Sequence, residues 1–155
     1  ILRSLYVLPE DVKEKIKFEI CEIDREFESY SLLFNLIKLR TPDLVEMTAI
    51  ASVLHSFYNG VESIFLLIAK KVDKNIPSGQ KWHNDLLKQM TLKNEIRTEV
   101  IDSETFEILK EYLLFRHFIR HSYKWRLNWD EFKNIALNAE NCWHNVKKQI
   151  LHLTS

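Results

Sequence analysis

Glycine and proline are scarce: two glycines and three prolines in 155 residues are too few for a multi-hairpin β protein and ordinary for a helical one. Cysteine is nearly missing as well. Cys21 and Cys142 fall inside helical patterns rather than at the spacings of a disulfide framework, which predicts a reducing compartment and two core thiols, buried or half-buried. No run approaches the roughly 18 consecutive apolar residues of a membrane helix. The opening residues carry neither the basic nor the apolar region of a signal peptide, so no membrane contact and a cytoplasmic location are expected. Net charge is absent too, since 22 basic residues balance 22 acidic ones. The total neither indicates nor excludes nucleic acid, and only a local patch could act as an electrostatic footprint. One such patch is created by a local absence: residues 112 to 129 contain no Asp or Glu, although Glu111 and Asp130 stand just outside. Within that window FRHFIRHSYKW, residues 115–125, sets Arg116, His117, Arg120, His121 and Lys124 among Phe115, Phe118, Tyr123 and Trp125.

The apolar pattern is helical throughout. Pro9 suits a first turn, and Ile16, Ile20, Ile23, Phe27, Tyr30, Phe34 and Ile37 then recur at alternating steps of four and three, which predicts one long helix over 10–39. Thr41 can cap the next helix, with Pro42 at its first position and Asp43 at the positive end of its dipole. Met47, Ile50, Leu54, Phe57, Val61, Ile64 and Ile68 carry that helix, while Ala51, Tyr58, Phe65 and Val72 broaden its apolar face, which predicts a central position. DKNIPSG, residues 73–79, reads as a loop between antiparallel neighbours, and WHNDLLKQM as a short helix. Either Asp102 or Ser103 can cap a helix that turns Ile108, Tyr112, Phe115 and Ile119 inward. A final helix is expected over 129–151, burying Phe132, Ile135, Ala136, Ala139, Trp143, Val146 and Ile150. The expectation is a single all-α domain over 1–155, an antiparallel four-helix-type bundle with an additional short helix.

Arg116, His121 and Tyr123 fit the pattern R-x4-H-x-Y, and three linked segments around it resemble a HEPN domain of the HepT-like toxin group. These are HSFYNGVESIFLLIAKKVD, PSGQKWHNDLLKQM and FRHFIRHSYKWRLNW, spread over residues 52–132 in matching order and spacing. The resemblance implies a ribonuclease working without metal or cofactor, and a homodimer with Arg and His from both chains at a shared cleft. It also implies a minimal nucleotidyltransferase antitoxin that silences the toxin by attaching AMP to the motif tyrosine, here Tyr123.

The chemistry of those residue types agrees with such an activity. RNA carries its own nucleophile, the 2′-hydroxyl, so cleavage needs a proton acceptor, a proton donor and positive charge at the developing phosphorane. Arg116 would grip phosphate oxygens with its planar fork, and His121 would serve as acid or base because imidazole titrates near neutral pH. Tyr123 would orient the phosphate or the leaving oxygen. His117, Arg120, Lys124 and Arg126 are candidate RNA contacts, with His117 and Arg120 equally able to pair with acids on the first helix. At about 100° per residue, however, His121 lies about 140° around a helix from Arg116. Either the helix ends near His121, letting the backbone turn Tyr123, or a second copy completes the site.

Other residues have plainer readings. His117 and His121 stand four apart, as zinc ligands can, but no local carboxylate or cysteine accompanies them, so no metal site is expected. His55, Tyr58 and Asn59 are expected to pack and hydrogen-bond to a neighbouring helix, with substrate contact as the alternative. Trp82, Leu86, Leu87 and Met90 are expected to lock the short helix down. Trp125 and Trp129 could stack on unpaired bases or pack in the core. The acid-rich first helix reads as a solvated face or a partner surface, and as one that repels RNA.

Overall fold

The computed structural model describes residues 7–121 and 126–155. The described residues form helices and no strands: α1 (Glu10–Ser29), α2 (Ser31–Leu36), α3 (Leu44–Ile68), α4 (Trp82–Gln89), α5 (Ser103–His121), α6 (Trp129–Leu137) and α7 (Ala139–Thr154), with a π-helical turn, Ala69–Asp73, extending α3. This is the all-α bundle with a short extra helix that the periodicity implies.

Several boundaries differ from expectation, each for a local reason. Pro9 stands at the N-cap of α1 rather than inside its first turn. The first long helix breaks at Tyr30, whose backbone (φ −107°, ψ 18°) leaves the helical region; Tyr30 swings outward while Phe34 stays against Phe27 at 5.5 Å between ring centres. α3 starts after Asp43, not at Thr41. Asp43 accepts from the Glu46 backbone, and Glu46 in turn accepts from the Asp43 N–H, both at 2.8 Å, so a capping box outcompetes the Thr-Pro start. Of the two candidate caps for α5, Asp102 takes the position, its carboxylate accepting from Thr105 N at 2.8 Å. The final helix is two: at Asn138 the side-chain amide donates to the Asn134 carbonyl at 2.8 Å, satisfying the end of α6 in place of another helical turn.

Phe57 on α3 is the hub of the packing. Its ring meets Phe27 of α1 at 5.3 Å, Tyr112 of α5 at 5.3 Å and Trp143 of α7 at 6.1 Å, all edge to face. Buried apolar residues from Leu8 to Ile150 belong to one cluster around it. Gly60 permits α1 to approach closely, since a Cβ there would come within 2.7 Å of Ile23 Cγ1. The helical run Leu44–Asp73 is long and apolar enough to cross a membrane by length and composition alone. Ile50, Ala51, Leu54, Phe57, Val61 and Ile64 are all buried against other helices, as the centre of a bundle requires.

Polar ties fix the order of the helices. Asp24 of α1 accepts from Trp143 Nε1 and Lys147 Nζ, each at 2.7 Å, so the acid-rich helix holds α7 as well as facing solvent. Gln149 of α7 donates to Thr105 and accepts from Asp102 N, both at 2.8 Å. Arg97, buried in the connection before α5, clamps Asp73 at 2.7 and 2.6 Å and thereby pins the end of the π-helical turn. Cys142 is buried, but Cys21 is exposed, against the expectation of two core thiols: it sits one residue past Ile20 and so about 100° off the buried stripe.

Candidate functional site

α5 presents two different faces. Its buried side carries Thr105, Leu109, Tyr112, Phe115, Arg116 and Ile119, with Ile108 only half-buried, so the inward face includes a guanidinium, four residues after Tyr112 and three before Ile119. His117, Arg120 and His121 are exposed, as is Arg126 after the helix. Tyr123, Lys124 and Trp125 lie outside the described residues. Trp129 is buried against Phe132 at 5.2 Å, a core role rather than a platform for bases.

Arg116 is held by α3. Its Nε donates to Asn59 Oδ1 at 2.6 Å, and its Nη2 lies 3.8 Å from Glu62 Oε1, an ion pair too long for a hydrogen bond. Glu62 is itself buried, and its other oxygen takes a 2.7 Å hydrogen bond from His83 Nδ1 in the first turn of α4. Asn59, Arg116, Glu62 and His83 thus form one chain of polar groups across α3, α5 and α4. The Trp82 ring covers His83 with 3.6 Å between ring centres, while Leu86, Leu87 and Met90 are buried beneath α4 and lock it down as expected.

One turn further along α3, His55 Nδ1 stands 3.5 Å from the Asn59 amide. His55 Nε2 is buried without a hydrogen bond among the described residues. Burial, then the charges of Arg116 and Arg120, push its imidazole below the usual range, so the neutral ring is favoured. Tyr58 is pushed far above the usual phenol range by burial and then by Glu62, with Arg116 opposing, and remains a phenol.

His121 belongs to the other side of α5. α5 extends to His121, which leaves it about 140° around from Arg116, and its ring lies 4.2 Å from that of His117. Leu114 and Phe118, 67% and 39% exposed, occupy the same outward region. Within one chain, therefore, Arg116 meets Asn59 and Glu62, not His121. Among the described residues no three His, Cys, Asp or Glu side chains converge as ion ligands would. Sequence reasoning missed Glu62 and His83. A signal existed for Glu62, since it lies four residues after Tyr58 and three before Phe65, on the broad apolar face of α3, where an acid needs a partner.

The described residues thus form an all-helical bundle with a buried arginine on one face of α5 and an exposed histidine five residues on. A family profile described as HepT-like protein matches residues 49–155, and the chain belongs to that family. No curated protein and no solved structure matches it.

Proposed function

We propose that the chain is the toxin of a HEPN/nucleotidyltransferase toxin–antitoxin pair, a cytoplasmic endoribonuclease that cleaves RNA without metal. The observation that carries this reading is the division of α5. Arg116 is fixed toward α3 by Asn59, while His121 is exposed at the helix end. A site that needs both is completed when His121 of a second copy meets Arg116 of the first. Exposed Leu114 and Phe118 beside His121 give such a copy apolar surface to bury. Arg116 keeps both terminal nitrogens uncommitted to hydrogen bonds among the described residues, so its fork can take phosphate oxygens. His121 acts as a proton-transfer group, His117, Arg120, Lys124 and Arg126 line the RNA path, and Tyr123 is the group to which the antitoxin attaches AMP.

A second reading, a non-catalytic HEPN-like module that binds a nucleotidyltransferase or its substrate, draws on the carboxylate of Glu62 3.8 Å from Arg116, which already compensates the cation. Cleavage of cellular RNA in EDTA by protein whose Tyr123 is shown unmodified by mass spectrometry separates the two. Activity lost in a folded His121→Ala variant supports the ribonuclease, and intact RNA with the unmodified wild type supports the module.

A further inference from the structure

The Glu62–His83 pair lies on the Arg116 side of α5, where the motif itself places no proton acceptor. Its geometry is that of an oriented base. Glu62, as a carboxylate, only accepts, so the 2.7 Å contact puts a proton on His83 Nδ1, and in the neutral imidazole Nε2 then carries the lone pair. Nε2 makes no hydrogen bond among the described residues, and the His83 side chain keeps 23% of its surface exposed. Trp82 against one face of the ring restricts its rotation. The other oxygen of the same carboxylate faces Arg116, so the guanidinium and the imidazole adjoin opposite oxygens of one carboxylate.

We propose that His83 is a catalytic residue of the ribonuclease, the general base that takes the proton of the ribose 2′-hydroxyl, with Glu62 as its positioning residue. This inference rests on the ribonuclease reading and completes its accounting. The 2′-oxygen attacks phosphorus as its proton passes to His83 Nε2. The bond from phosphorus to the 5′-oxygen breaks, and that oxygen takes a proton from His121 of the second copy. The products are a 2′,3′-cyclic phosphate and a 5′-hydroxyl, with no water, metal or redox partner consumed. Glu62 stabilises the imidazolium as it forms, as carboxylates do behind catalytic histidines, and Arg116 stabilises the phosphorane. Glu62 from α3 contacts His83, and Arg116 from α5 pairs with the other oxygen of that carboxylate.

The test compares His83→Asn and His83→Ala with the wild-type dimer on a single-stranded RNA oligonucleotide under single-turnover conditions. Asparagine's amide can replace the Nδ1–H bond to Glu62 but cannot accept a proton, so it keeps the structural role and removes the chemical one. Melting followed by circular dichroism verifies the fold of each variant. Both variants should cleave about 10²–10⁴-fold more slowly, with RNA affinity changed less than about threefold and the acidic limb of the pH–rate profile gone. Added imidazole should restore part of the rate to His83→Ala. Glu62→Gln should lower kcat with RNA affinity changed less than about threefold, because its amide holds the ring in place but carries no charge to stabilise the imidazolium as it forms. Wild-type rate and an intact acidic limb in His83→Asn, with His121→Ala still inactive, would overturn the role of His83 alone. Absence of cleavage by the unmodified wild type would overturn the ribonuclease reading and this role with it.

Discussion

Arg116 Nε donates to Asn59 Oδ1 at 2.6 Å, joining α5 to α3 across 57 residues of sequence. Both groups are at least half-buried, so neither can turn to water if the other is lost. Asn59→Ala should therefore lower stability by about 1–3 kcal/mol, read as a shift of the urea midpoint. Cleavage should fall as well, since the guanidinium loses the bond that aims it.

Arg97 and Asp73 form the most buried ion pair among the described residues, with side chains 2% and 5% exposed. Arg97→Ala strands the carboxylate and should cost about 3–5 kcal/mol. Burial alone would raise the pKa of Asp73, but hydrogen bonds from Arg97 and Gln89, then the charge of Arg97, more than offset it and hold the carboxyl below the usual range. A depressed folded-state pKa stabilises above the unfolded value of about 3.9 and loses that contribution as pH falls through the folded one. Urea midpoints taken downward from about pH 5 should thus drop in the wild type, with the Asp73 share of that drop missing in Arg97→Ala.

His55 supplies a second pH dependence, nearer neutrality. Its imidazole is depressed by burial and by Arg116 and Arg120, so neutral His55 stabilises above the unfolded value of about 6.5, and the contribution is lost as pH falls through the lower folded value. Histidine titration by NMR should show the His55 pKa rise in Arg116→Ala, because a repelling cation is gone. An unchanged His55 titration would contradict the coupling.

The two thiols should differ sharply in reactivity. Cys21 is exposed, whereas burial and then Glu111 push the Cys142 thiol up to about 12. Iodoacetamide at neutral pH should alkylate Cys21 in the native protein and Cys142 only after unfolding, as mass spectrometry of the peptides would report.

If Arg116 and His121 act across a dimer, two inactive variants should complement. Mixing Arg116→Ala with His121→Ala subunits leaves one intact site in each mixed dimer, so a random equal mixture should recover about one quarter of wild-type cleavage. No recovery after verified subunit exchange would place both groups in one chain.

How far the sequence reveals this molecule depends on the range of the interaction. The stripes of α1 and α3 are legible because burial follows the helical period, and Phe57, Val61 and Ile64 are buried as that period requires. The breaks at Tyr30 and Asn138 are not, since each is decided within a single residue's dihedrals and bonds while the apolar spacing runs on past it. Asp43 and Glu46 spell a capping box, yet Thr41-Pro42 offers a competing start, and only the reciprocal hydrogen bonds decide between them. Arg116 stands at helical spacing from Tyr112 and Ile119, so its inward position is legible, but the groups it meets, Asn59 and Glu62, are a long-range fact that no window of α5 contains.

The chain of groups from Asn59 through Arg116 and Glu62 to His83 gives genetic screens of this protein a built-in ambiguity. On the ribonuclease reading, loss-of-function alleles at Asn59, Arg116 or Glu62 should mix impaired chemistry with impaired accumulation, because each of these side chains is buried or half-buried among its neighbours. His121 is free of that confusion. Exposed at the end of α5, it can be replaced with little disturbance to packing, so an inactive allele there speaks for the reaction itself, and growth assays should be calibrated against it before any other position is interpreted.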